Sequence, residues 1–285
     1  MILLTGITGN NGGATATALL NRGVKFRALV RDLDKAADWA ARGVELVQGD
    51  LNDPASVRAA LEGIDRAVLI LPNSEEQERL ELSFIETAKQ AGVPWILKVS
   101  SPEAVRGTTS PIPLAHIAAE DAIMESGMNW TFVRPSFFMQ NLVGSFAAAK
   151  ATGKLSMPMG EGEAGLTDCA DGGEFIAHVL TDENPEQHYG QCYDISGPDE
   201  IMTFADIASV MGEVLGREVG YDDCDPDAFK EKLRPFQRND WHTEAVATLF
   251  AEIKDGTTPG VKTSTFQDIM GRPGTSFRAF LQKLV

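Results

Sequence analysis

The sequence predicts an α/β chain built on a doubly wound parallel sheet, from three observations. Short β-branched and aliphatic runs alternate with helical stretches over the first half, the first strand-to-helix turn is rich in glycine, and no apolar stretch has membrane-spanning length. Residues 1–4 form a short apolar run that reads as a buried strand. Residues 5–13 supply a turn, 14–20 take up helical spacing, and 25–30 read as a second strand. The alternation continues with a strand at 44–47, a helix from 54 to 61, a strand at 67–71, a helix from 75 to 90 and a strand at 95–99. A helix at 114–125 and a strand at 129–133 follow. Such a repeat specifies parallel strands joined by right-handed crossovers, with helices on both faces.

Gly6, Gly9 and Gly12 lie in a G-x-x-G-x-x-G spacing, with Thr8, Asn10 and Asn11 between them, directly after the first strand and before the first helix. Glycine permits positive φ and close backbone approach, and the N–H groups at the following helix start face an anion. Placed there, Gly6, Thr8, Gly9, Asn10, Asn11 and Gly12 form a dinucleotide cradle, and the sheet is expected to be of the Rossmann type. The T-G-N-N-G-G run resembles the T-G-x-x-G turn of short-chain dehydrogenase/reductase proteins more than the G-x-G-x-x-G of NAD dehydrogenases. The second strand ends at Arg31-Asp32, beside the adenosine ribose. An Arg there offers a planar fork to a 2′-phosphate and favours NADP(H); Asp32 would serve an NAD ribose if the chain bends one residue later. Lys35 is either a further charge at that tip or a solvated helix-start lysine. Asp50, ending the third strand, is either an adenine contact or the N-cap of the next helix. Leu71, Pro72 and Asn73 end the fourth strand at the edge where such sheets bind ligands, bordering the nicotinamide half.

At 285 residues the chain can hold a nucleotide domain and a smaller lobe. The expected division is residues 1–150 for the nucleotide domain, with return segments near 168–196, and 151–285 for a mainly C-terminal α/β substrate lobe. A glycine- and methionine-bearing segment at 151–162 marks the exit. Residues 168–180 read as a helix, 191–196 as a strand, and 203–215 as a helix capped at Thr203 and ended by Gly216. A net charge of −16 opposes nucleic-acid or anionic-membrane partners. Cys169, Cys192 and Cys224 form no C-x-x-C pair, and the acidic run at 222–227 matches no metal loop, so no metal is expected. With no basic region before the first strand, the expected location is cytoplasmic, as a monomer or homodimer.

His116-Ile117-Ala118-Ala119-Glu120 is followed by S-G-M-N-W-T-F-V-R-P-S-F-F-M-Q-N from Ser126 to Asn141. Together with TGNNGG and Tyr193-Asp194-Ile195-Ser196-Gly197-Pro198, this resembles the NmrA-like, atypical short-chain dehydrogenase/reductase family, over most of the chain up to about Arg217. The resemblance implies either an NADPH-dependent reductase of quinones, dyes, imines or related acceptors, or a non-catalytic NADP(H)-binding sensor. None of Tyr189, Tyr193 and Tyr221 is followed four residues later by lysine, so the usual Y-x-x-x-K pair is missing and a nucleotide-sugar epimerase is disfavoured.

A lysine stands at what corresponds to His116 in the isoflavone-reductase-like branch, which makes His116 the leading candidate for a proton donor; the other reading is a helix or core histidine. Glu120 shares its helical face. Ser100, closing the fifth strand, is either a substrate contact or a turn cap. Phe137, Phe138 and Met157, with Met139 and Met159, are expected to wall an apolar pocket for an aromatic or hydrophobic small molecule, with Trp241 and Phe236 on the far side.

Overall fold

Thr5 shows how this sequence closes its first turn. Its hydroxyl donates to the carbonyls of Val68 (3.2 Å) and Ile70 (3.0 Å) and accepts from the Ile70 N–H (2.8 Å), stitching the end of the first strand to that of the fourth. The structure is a computed structural model and describes residues 1–237, 239–258 and 260–285. The chain runs β1 (Ile2–Leu4), α1 (Asn10–Asn21), β2 (Phe26–Val30), α2 (Ala37–Ala41), β3 (Glu45–Gln48) and α3 (Pro54–Ala60). It continues through β4 (Arg66–Leu69), α4 (Gln77–Gln90), β5 (Trp95–Val99), α5 (Pro111–Glu125) and β6 (Asn129–Pro135). Then come β7 (Phe137–Phe138), α6 (Val143–Thr152), β8 (Lys154–Ser156), β9 (Glu163–Ala164), β10 (Leu166–Thr167), α7 (Cys169–Thr181) and β11 (Gln191–Ile195). The last third holds β12 (Met202–Thr203), α8 (Phe204–Leu215), β13 (Gly220–Asp222), α9 (Pro226–Leu233), α10 (Asp240–Asp255), α11 (Thr265–Met270) and α12 (Phe277–Gln282).

The main sheet has the order β11-β6-β5-β4-β1-β2-β3, and β1 to β6 pair in parallel. The order reverses between β1 and β4, which makes the crevice beyond their carboxyl ends the ligand edge of the fold. All five residues of β5 are buried, as expected for a strand covered on both faces. Among the described residues no helix is long and apolar enough to cross a membrane.

Contacts divide the chain into two units. The first comprises residues 1–100, 115–134 and 169–193, and the second residues 101–114, 135–168 and 194–285. The boundary expected at residue 150 therefore moves: residues 135–150 group with the second unit, because Met139, Leu142, Phe146 and Ala149 belong to its hydrophobic core. That core also takes Leu155, Met157, Met159, Phe204, Met211 and Phe277. Helix α8 begins with a reciprocal Thr203–Asp206 capping box and ends at Gly216 with φ +65°, as its sequence signals require. The acidic run is structural: Asp222 accepts from Ser156 Oγ (2.8 Å), Asp223 pairs with Lys254 (2.8 Å), and Asp225 caps α9.

Two differences from the sequence reading within the first unit have a visible cause. Helix α1 starts at Asn10, four residues early, because Gly6 completes the turn with φ +71°. Strand β4 stops at Leu69, because the Ile70 N–H goes to Thr5 Oγ1 instead of a ladder partner.

Candidate functional site

The glycine turn has the geometry that its spacing requires. A Cβ on Gly12 would lie 2.1 Å from the Gly6 carbonyl oxygen, and one on Gly6 would lie 2.6 Å from the Ile70 oxygen. Any side chain at either position would force the loop away from the sheet. Gly9 is the N-cap of α1, with no side chain capping the helix and no acidic residue in its first turn. The N–H groups of the first turn and the positive end of the helix dipole suit this turn to an anion such as a phosphate. Thr8, Gly9 and Asn10 are exposed, Asn11 is half-buried and Gly12 is buried. The helix is seated on α7 at backbone contact, since a Cβ on Gly173 would lie 2.4 Å from the Ala14 carbonyl carbon.

At the tip of β2, Arg31 is exposed while Asp32 is already engaged. The Asp32 carboxylate accepts from the Asp34 and Lys35 N–H groups (3.0 and 3.2 Å) and pairs with Lys35 Nζ at 3.4 Å, so its carboxyl is held below the ordinary value, chiefly by the Lys35 N–H. It caps a turn, which leaves Arg31 as the side chain offered at the strand tip. Asp50 accepts from the Asn52 N–H (2.9 Å) and side-chain amide (3.1 Å) in an Asx turn, and Asp53, accepting from the Ala55 N–H, caps α3. Asp50 is therefore not the helix cap. Its carboxyl is also held low, first by the Asn52 N–H and then by the charges of Arg31 and Arg79. Leu71, Pro72 and Asn73 follow β4 at the carboxyl edge, and Pro72 is exposed.

Beyond them, polar residues appear only at the last pleat of an apolar face. Along β5, Ile96, Lys98 and Ser100 share one side; along β6, Phe132 and Arg134 do so in matching register. Lys98 and Glu81 of α4 are both fully buried, with Lys98 Nζ 2.8 Å from each Glu81 oxygen. Gln77, also fully buried, donates its amide to Glu81 Oε1 at 3.3 Å. Arg134 grips Glu120 with both arms of its fork, Nε at 2.8 Å from Oε1 and Nη2 on Oε2. Glu120 is thus bound by Arg134 on the helical face it shares with His116.

His116 is 8 % exposed, and its Nδ1 has no hydrogen-bond partner among the described residues; the same holds for Ser100 Oγ and Gln77 Oε1. Burial, then the charges of Lys98 and Arg134, holds the His116 imidazole well below its ordinary value. That direction favours a neutral ring, which offers an N–H or a lone pair more readily than a mobile proton. Ser100 is not a turn cap, its Oγ being unpartnered.

In the second unit Met157 is 4 % exposed within the core, so it is packing and not pocket wall. Phe137 is half-buried between Phe204 and Phe250, with ring centroids at 6.1 and 6.3 Å, and lines a cavity of about 10 Å³ with Pro102, Ser136 and Thr258. That volume holds one water-sized group and no ring. Phe138 is half-buried, whereas Phe236 is 85 % exposed and forms no wall. Sequence reasoning missed Lys98, Glu81 and Gln77. The available signal was a lysine inside the apolar strand Trp95–Val99, which burial tolerates only with a partner.

A family model described as the NmrA-like family matches residues 1–267. The chain belongs to the NmrA-like family. Among relatives, an NAD(P)H azoreductase of Xenophilus azovorans is 32% identical over 282 residues, spanning 98% of this chain and 96% of its own length. Quinone oxidoreductase 2 of Escherichia coli is 28% identical, spanning 97% and 96%. The solved structure of an NADPH-dependent quinone oxidoreductase from Escherichia coli in complex with NADPH superposes with a TM-score of 0.89 at 25% identity, covering 100% of this chain and 99% of that one. Membership of the NmrA-like family and the parallel sheet thus agree with the expectation drawn from the motifs around His116 and Arg134.

Proposed function

We propose that this chain is an NADP(H)-dependent reductase that passes hydride to an apolar or aromatic unsaturated acceptor of the quinone or azo-dye class. The observation that carries the cofactor half is the pairing of an uncapped, glycine-started α1 with an exposed Arg31 beside an Asp32 already spent on its own turn. The residues fit the cofactor: backbone N–H groups of the α1 start hold the pyrophosphate, and Arg31 forks the 2′-phosphate. Asp50 would lie at the adenine, and the segment from Leu71 to Asn73 would border the nicotinamide half. Likeness to the azoreductase and the quinone oxidoreductase supports the same reading.

When bound, the cofactor supplies the hydride. Ser100 and His116 offer unpartnered polar atoms at the edge where the acceptor would lie. A neutral imidazole can donate a hydrogen bond to an oxygen gaining charge without surrendering its proton. Solvent then supplies the second hydrogen of a quinol. This suits quinones and dyes, whose reduction needs little acid catalysis, better than simple ketones.

Titration with NADPH and NADH, followed by NADPH oxidation against quinones, azo and triphenylmethane dyes, enones and cyclic imines, tests the reading. Tight NADPH binding and turnover with quinones or dyes, reduced in His116→Ala, is the expected result. Binding with no turnover across the panel would instead assign the chain to the sensor class. No NADPH binding would remove both.

A further inference from the structure

One fully buried ion pair, Lys98–Glu81, and one part-buried pair, Glu120–Arg134, surround the polar end of the first unit, and each shares an element with one candidate contact residue. Lys98 lies two residues before Ser100 on the same face of β5, and reaches across to α4 through Glu81. Glu120 lies one turn after His116 on α5, and is held by Arg134 of β6. A buried ion pair such as Lys98–Glu81 is commonly replaceable by apolar residues of similar volume without loss of stability. Its geometric effect is different. A bidentate fork fixes the rotation of α5 about its axis, and hence the direction of every side chain on that face. The Lys98 ammonium, centred on both Glu81 oxygens, ties the last pleat of β5 to the first turns of α4, where Gln77 also donates to Glu81.

Resting on the reductase reading above, we propose that Lys98–Glu81 and Glu120–Arg134 are two positioning clamps. The first holds Ser100 and the second holds His116, with their unpartnered atoms ready for a substrate oxygen that the protein itself does not satisfy. The charged groups facing His116 are Lys98 of β5 and Arg134 of β6, with their partners Glu81 of α4 and Glu120 of α5. The clamps thus set where the imidazole stands and also which charges surround it.

The test is a Lys98→Met/Glu81→Leu double variant, which removes both charges and keeps the volume. Its thermal midpoint should stay near that of the parent, NADPH binding should be unchanged, and kcat for quinone reduction should fall about tenfold with KM little altered. The second readout is independent of turnover: the His116 ring, followed by NMR against pH, should titrate at a higher pH in the double variant. Equal kcat and an unmoved His116 titration would overturn the proposal. Arg134→Lys keeps the charge but loses the fork, and serves if the first variant fails to fold; it should lower kcat several-fold, and parental kcat there would equally overturn the clamp. A parent protein that binds no NADPH would sink the reductase reading, while the NMR titration would still report on the clamp.

Discussion

At the scale of single residues, Arg31 and Asp32 show why neighbouring charges on one strand tip have different fates. Asp32 spends its oxygens on the N–H groups of Asp34 and Lys35, whereas Arg31 stands exposed, its charge adding to the Asn52 hydrogen bonds that hold the nearby Asp50 carboxyl low. Arg31→Ala should therefore weaken NADPH binding by at least about tenfold while leaving NADH nearly unchanged, since a charge-assisted fork is lost only where there is a 2′-phosphate. Isothermal titration with the two cofactors reads the difference. The sequence announced Arg31 because strand tips are positions with a known neighbour. It did not announce the lowered basicity of His116, because that depends first on the burial of the ring and then on the charges of Lys98 and Arg134, brought near it by β5 and β6.

Helices and strands were legible wherever local signals act alone: the Thr203 cap, the Gly216 stop and the five-residue strand at Trp95–Val99 all fall where composition places them. The start of α1 was not, because four residues of glycine and asparagine carry weak helix propensity and are held helical only by the turn at Gly6. Backbone contact between α1 and α7 was equally invisible. Gly173→Val should push α1 off its seat, lower stability by roughly 2–4 kcal/mol and weaken cofactor binding with it, measurable by denaturant unfolding and NADPH titration. Helix α10 contributes a different restraint. Its buried Glu252 accepts from Thr108 Oγ1 (2.7 Å), Thr109 N (2.6 Å), Thr109 Oγ1 (2.9 Å) and Ser110 N (3.0 Å), pinning the segment that leads into α5. Burial opposes that charge, yet the four donors win and hold the carboxyl below its ordinary value. A carboxyl so lowered stabilises the fold above its unfolded value and loses that contribution as pH falls through the folded one. Glu252→Ala should cost about 3 kcal/mol at neutral pH, with the gap to the parent closing below about pH 4 in acid unfolding curves.

For the molecule as a whole, the net charge of −16 acts on any anionic ligand before contact. The cradle attracts phosphate locally through N–H groups and Arg31, while the surrounding field repels it. The association rate of NADPH should consequently rise as ionic strength goes from about 0.01 to about 0.1 M, where the screening length shrinks from roughly 30 to roughly 10 Å. Stopped-flow fluorescence checks the sign; a falling rate would mean that Arg31 and its neighbours dominate the approach. Partition into two units was only partly legible, because the sheet and helix signals of residues 135–150 resemble those of the first half, and only their burial with Phe204 and Phe277 assigns them elsewhere.

That the first unit is stitched from three stretches ending at residue 193 has a consequence for how the protein is made. During synthesis the glycine turn emerges before the helix that seats it, with Gly173 against Ala14, by some 160 residues. Until then the nascent cradle has its signature and no foundation, so a chain arrested at residue 150 should be neither compact nor able to retain nucleotide, and the newborn protein becomes competent only once residue 193 has emerged.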